Sequence, residues 1–172
     1  MSANSLQQMK PQDLVVLAKL VVIGDVGFTQ VSLAQTLYLS QSEISASLAR
    51  SAYAGLLFND RRDVNRKLLF DFIQYGLGVV FPQHPGNIVR GTLTAHSAPP
   101  LASSIVSEQD YVWPYSKGLA RGQSIVPLYP TVPQAILLDE QLYEMLALFD
   151  AIRVGRVREK NLALEHLEKR IL

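Results

Sequence analysis

The 172-residue chain contains no cysteine, so disulfides, thiolate nucleophiles, zinc ribbons and iron–sulfur ligation are excluded together. Charge is also sparse. Asp, Glu, Lys and Arg make up 18% of the residues, below the usual ~25%, which suggests surface that another subunit covers. Neither sign dominates: 16 Lys and Arg stand against 15 Asp and Glu, a net charge of +1. That balance argues against a globally basic coat for nucleic acid, though not against a local basic site. Long apolar runs are missing too. The one signal-like stretch, Leu14–Ile23, is ten residues long, carries Lys19 and follows Asp13. A spanning helix needs ~20 apolar residues, and a signal peptide needs a basic start and a small-residue cleavage site. The expectation is a cytoplasmic protein with no membrane contact. No internal repeat or low-complexity tract is present.

Catalytic and metal signatures are equally thin. His84, His96 and His166 lie far apart with no metal-ligand spacing. Gly76/Gly78 and Gly118/Gly122 lack the following Lys-Ser/Thr of a phosphate loop. His96-Ser97 offers a base beside a nucleophile, but neighbours in a turn rarely meet in the required geometry and no third group is evident. Asp71, Asp110 and Asp150 read as solitary loop or cap carboxylates. The sequence is therefore read as a non-enzyme with no metal and no cofactor.

What is present is 48% hydrophobic residues, enough for one domain or two small ones sharing a core. Residues 1–81 read as punctuated helix. The polar stretch through Met9 is a loose arm. Pro11-Gln12-Asp13 starts a helix with Leu14, Leu17, Ala18 and Val21 at helical spacing, and Gly24 with Gly27 ends it. A second helix runs from Thr29 or Gln30 to Tyr38. Ser40-Gln41-Ser42-Glu43 is a capping box opening a third helix, with Ile44, Leu48 and Ala52 on one stripe and Gly55 at its end. Leu56–Phe58 reads as a strand, Asn59–Asp63 as a turn, and Val64–Leu77 as a helix.

Residues 82–172 begin differently. Pro82–Pro133 holds eight of the nine prolines and five charged residues. It reads as an ordered, mostly irregular segment over the helices, with one short helix near Pro100–Val106. Helix returns at Glu140–Val154, capped by Asp139 and apolar nearly all round. After Gly155 a last helix runs to Leu172 with Val157, Leu164, Leu167 and Ile171 as its stripe.

The second and third helices carry the functional signal. Two short helices joined through Tyr38-Leu39, the second capped and led by small polar residues, meet the needs of a helix-turn-helix. Leu33, Leu37, Leu39, Ile44 and Leu48 form the interior set, and Ala34 is the small residue at the crossing. Gln41, Ser42, Ser45 and Ala46 lie on the leading turns, where short side chains fit a major groove about 12 Å wide and Gln can pair with adenine. Arg50 and the Arg61, Arg62 and Arg66 group suit phosphates on either side. For this last group a solvated turn balanced by Asp60 and Asp63 is an equal alternative.

At Thr29–Phe58, with SLAQTLYLSQSEIS and AGLLF most telling, the sequence resembles the bacterial winged helix-turn-helix transcriptional regulators of the MarR-like kind. That resemblance implies an N-terminal winged helix-turn-helix with a short β-wing. Joined to the residue reading of the rest, the expected fold is mainly α, with this domain followed by a proline-rich irregular segment and C-terminal helices. The resemblance also implies a homodimer on double-stranded DNA, with Gln41, Ser42, Ser45, Ala46 and Arg50 on the recognition helix and the wing tip near Asn59–Asp63. Gln30 and Ser40 complete the expected DNA-facing set. Tyr38 stands where such turns often have Gly, and beyond Phe81 nothing in the chain matches the pattern.

Two questions stay open on the residues alone. Winged folds also dock proteins, so an adaptor or antitoxin-like subunit is the alternative to a DNA reader. Arg90, Trp113, Tyr115, Arg121 and Tyr129 could line a pocket for a small effector, or form a dimer or partner interface. A second basic cluster, Arg153 to Lys160, is read as cations favoured at a helix end.

Overall fold

Residues 7–58 and 63–172 are described in a computed structural model of the chain. Along it lie helices α1 (Pro11–Ile23), α2 (Gln30–Leu37) and α3 (Gln41–Tyr53) and strands β1 (Leu57–Phe58) and β2 (Asp63–Val64). Helices α4 (Arg66–Tyr75) and α5 (Leu77–Val80), then strands β3 (Ile88–Leu93), β4 (Tyr111–Pro114) and β5 (Ala120–Ser124) follow. Helices α6 (Val132–Ala135), α7 (Glu140–Val154) and α8 (Val157–Ile171) complete the chain. The fold is mainly helical, as the periodicity suggests.

Two helices form the centre because their sequences are apolar on every side. In α1, Leu14 to Ala18 are all buried, and α7 buries nine residues from Leu142 to Ile152. They pack on each other, α1 also against α3 and α7 also against α8. One continuous apolar core runs from Leu14 to Ile171. Starts and stops follow the expected chemistry. Pro11 occupies the first turn of α1, and Gly24 at φ 59° ends it. Asp139 Oδ1 accepts from the Leu142 amide at 2.9 Å to open α7.

Several expectations are corrected. The single helix expected over Val64–Leu77 is instead β2, α4 and α5, with a break at Gly76. Asn65 caps α4 by accepting from the Leu68 amide at 3.2 Å. The short helix near Pro100–Val106 shrinks to a 3-10 turn, Leu101–Ser103. Val157 in α8 faces solvent at 75% exposure, while Ala163, Leu167 and Ile171 face the core.

The largest correction is the middle segment, which is not mostly irregular. β3 pairs antiparallel with both β4 and β5, and β4 runs parallel to β5, closing a three-stranded unit. So small a closure brings backbones together where no side chain fits. A Cβ on Gly91 would sit 2.0 Å from the Trp113 carbonyl oxygen, and one on Gly122 would sit 2.4 Å from that of Asp110. Glycine at these positions is a packing requirement.

Asp150, expected as a solitary carboxylate, joins this unit to α7. It is 1% exposed and accepts from Thr94 Oγ1 at 2.8 Å, Trp113 Nε1 at 2.5 Å and Arg153 Nη1 at 2.8 Å. Arg153 in turn donates to the carbonyls of Phe81 at 2.9 Å and Val126 at 3.1 Å. Burial pushes the Asp150 carboxyl upward, while Arg153, Thr94 and Trp113 pull it back.

Tyr143 on α7 adds a second tie, its hydroxyl donating to the Leu93 carbonyl at 2.8 Å. Burial pushes its phenol from the ordinary 10 up to about 12. The unfolded chain therefore ionises this tyrosine first, so the stability it confers is whole below pH 10 and is lost as pH rises toward 12. Urea denaturation across that range should show the wild type losing stability more steeply than Tyr143→Phe. Parallel curves would contradict this.

Candidate nucleic-acid interface

The α2–α3 pair is built by local chemistry. Thr29 Oγ1 accepts from the Ser32 amide at 3.0 Å while Ser32 Oγ accepts from the Thr29 amide at 3.1 Å, so the reciprocal box closes on α2. Leu33, Ala34 and Leu37 face inward. Tyr38 then takes the left-handed conformation at φ 55°, where a side chain costs roughly 1–2 kcal/mol. This turn returns the chain so that Leu39, Ile44 and Leu48 are buried against α2, as the interior spacing requires.

Ser40 caps α3, accepting from the Glu43 amide at 3.1 Å. The other half of the expected box is replaced: the Glu43 carboxylate accepts from Gln12 Nε2 on α1 at 2.5 Å. The leading turn of α3 is left open. Ser40, Gln41 and Ser42 are exposed, as is Gln30 at the start of α2, while Ser45 and Ala46 are half-buried.

Arg50 is corrected outright. It does not project toward solvent; it is 5% exposed and forks onto Asp13, itself fully buried. Arg50 Nε donates to Oδ2 at 2.9 Å and Nη2 donates to Oδ1 at 2.7 Å. Asp13 Oδ2 also accepts from the Lys10 amide at 2.8 Å. This paired hydrogen bond holds the Arg50 guanidinium above its usual range. The reason is α1, which packs on α3 and brings Asp13 onto Arg50, so that Ser47, Arg50 and Ser51 are buried as well as Ile44 and Leu48.

Arg66 is also turned inward. It is half-buried and donates through Nη1 to the Ile171 carbonyl at 3.0 Å, docking α4 on the end of α8. Arg61 and Arg62 lie outside the described residues, as does most of the expected wing tip. On either side of them β1 and β2 pair antiparallel, Leu57 opposite Val64 and Phe58 opposite Asp63.

The structure brings three of the five expected effector residues, Arg90, Tyr115 and Arg121, onto one part of the β-unit and packs the other two on the core. Trp113 is buried and bonded to Asp150, and Tyr129 packs on the core. Arg90 and Arg121 are exposed, directly opposite each other on β3 and β5. Tyr115 lines a groove. That groove, about 330 Å³, also includes Lys117, Leu119 and Leu137. Leu137 joins it to a cleft of about 470 Å³ between Lys19, Gln35, Tyr38, Gln134 and Leu138. Leu119 and Leu138 are fully exposed. Sequence reading missed this apolar strip, whose one signal is the leucine pair just ahead of the Asp139 cap.

His96 and Ser97 each serve the backbone. His96 Nε2 meets the Gln109 carbonyl at 3.0 Å, and Ser97 Oγ accepts from the Tyr111 amide at 2.9 Å. Among the described residues no cluster of three or more His, Asp or Glu is placed to hold a metal. No helix among them is long and apolar enough to cross a membrane. No family model, no curated protein and no solved structure matches the chain.

Removing either member of the Asp13–Arg50 pair strands a buried charge. Asp13→Ala and Arg50→Ala should each cost about 3–5 kcal/mol, whereas the double change Asp13→Leu with Arg50→Met should cost less than either. Urea denaturation of the three variants checks the ranking. A near-neutral Arg50→Ala would show the pair to be superficial.

Proposed function

We propose that the chain is a winged helix-turn-helix regulator of transcription of the MarR-like kind, binding double-stranded DNA as a homodimer with α3 in the major groove. Residues 1–81 would read DNA, and residues 82–172 would carry the contact between copies. One observation supports this above the others. The open leading turn Ser40-Gln41-Ser42 belongs to a helix that packs on both α1 and α2 and is followed by a paired hairpin.

The chemistry suits base reading. Gln41 offers an amide donor and acceptor for the N6/N7 edge of adenine, and Ser42 can donate or accept at either base. The amides of a helix start favour phosphate. The Glu43 carboxylate, which opposes phosphate, is held toward α1 by Gln12. Two copies on a two-fold axis would read half-sites centred about 34–36 Å apart.

Selection from random duplexes with the full chain tests the reading. A roughly palindromic site should be enriched at moderate salt, and Gln41→Ala should relax preference at one position per half-site by about 1–3 kcal/mol. No enrichment at any position would overturn it.

The apolar strip of Leu119, Leu137 and Leu138 favours a second reading, an adaptor that covers another protein. On that reading Leu138→Glu abolishes capture of a stoichiometric protein partner and leaves any DNA selection untouched. Enrichment of a duplex with no partner retained would contradict it.

A further inference from the structure

Arg50 and Arg66 both face inward, so neither offers its charge to a duplex at the leading turn of α3. Duplex affinity is nonetheless dominated by cations that neutralise phosphates. Neither of these two arginines therefore supplies a phosphate contact to the proposed reader, and exposed cations elsewhere among the described residues become candidates.

Residues 72–138 point to where. This 67-residue stretch holds three cations, Arg90, Lys117 and Arg121, and two acids, Glu108 and Asp110. Folding gathers the three cations at one part of the closed β-unit. Arg90 and Arg121 are direct cross-strand partners in the β3–β5 register. The Tyr115 amide donates to the Arg90 carbonyl at 3.1 Å, which brings the 115–118 turn, and Lys117 with it, alongside. Both arginines are exposed, and among the described residues neither side chain makes an ion pair or a hydrogen bond.

Like charges directly opposite each other in a sheet destabilise it, and among the described residues neither arginine forms an ion pair that offsets this. The cations of α8 differ, since Glu159, Glu165 and Glu168 are interleaved with them. Register also fixes the direction. Arg90 shares its strand face with Ile88 and Thr92, and Arg121 shares its face with Gln123, whereas Gly91 and Gly122 turn to the opposite, buried side. The outer face of β3 and β5 therefore presents two guanidinium forks side by side with an amide beside them. A guanidinium fork matches an oxyanion with two parallel hydrogen bonds.

The geometry points to this face, Arg90 with Arg121 and flanked by Lys117, as a docking surface for the phosphate backbone of nucleic acid. The inference rests on the DNA-reading proposal, for which it supplies the sequence-independent part of the affinity. Lysine and arginine contacts of this kind position a duplex without reading it.

The experiment compares the full chain, Arg90→Gln with Arg121→Gln, and a charge-matched control, Arg158→Gln with Lys169→Gln, on unrelated and selected duplexes across a salt series. The β-unit variant should lose roughly tenfold or more in affinity for every duplex alike, with the salt slope falling by about 4, two cations being lost from each copy of the proposed dimer. Its urea midpoint should be unchanged or raised, because a like-charge pair has been removed. The control should leave the slope unchanged. An unchanged slope in the β-unit variant, with base selection intact, overturns this inference alone. A lost slope in that variant with no base selection in the wild type keeps the phosphate surface and overturns α3 as the reader. Polyglutamate bound through the two arginines, with no duplex bound, would assign the face to an acidic protein and overturn the nucleic-acid partner.

Discussion

The buried fork between Asp13 and Arg50 fixes how α3 is presented, and much else depends on it. Desolvating two charges costs several kcal/mol, recovered only when geometry and further hydrogen bonds are good. Here both are met, since Asp13 takes two guanidinium nitrogens and the Lys10 amide. The next residue back, Gln12, holds Glu43. One turn of α1 thus grips α3 at positions 43 and 50, two helical turns apart. A helix held at two heights along one side by another helix can neither rotate nor slide. At its leading end the first turn stays open, where Ser40, Gln41 and Ser42 emerge. If α3 reads a groove, this constraint is what aims it.

A similar arrangement organises the other half. Asp150 gathers Thr94, Trp113 and Arg153, and Arg153 reaches the carbonyls of Phe81 and Val126. The closed β-unit is too small to carry a core of its own, so it hangs on α7 through this acid. Its outer face is freed from packing and carries charge instead. The low charge content of the chain is accordingly uneven in effect. Several cations are spent inside on Asp13, Asp150 and the Ile171 carbonyl, and those left on β3 and β5 stand together.

Much of this architecture was legible in the sequence because it depends on local rules. Pro11, Gly24, Ser40, Asp139 and Gly155 mark helix ends by backbone chemistry, and Leu33, Leu37, Leu39, Ile44 and Leu48 mark an interior by spacing. The β-unit was not legible. Its strands of six, four and five residues carry Arg-Gly pairs in two of them and a proline in the third, with no clean alternation. Their pairing is decided by closure between distant segments. Arg50 was misread for a related reason. It lies off the Ile44/Leu48 stripe, and only the position of α1 makes its side of α3 an inside face. Trp113 was legible as ordered, but its partner Asp150 lies 37 residues away. Buried polar pairs of this kind leave no periodic trace.

If the proposed function holds, a neutral reading turn on α3 and a phosphate face on the β-unit divide two tasks between two parts of one core. The most direct measurement is a backbone amide NMR titration of the full chain with a duplex enriched by selection. The predicted result is shifts concentrated at residues 40–46 and on the outer face of β3 and β5, with Arg50 and Asp13 unmoved. Shifts gathered around Leu119, Leu137 and Leu138, with residues 40–46 silent, would contradict it.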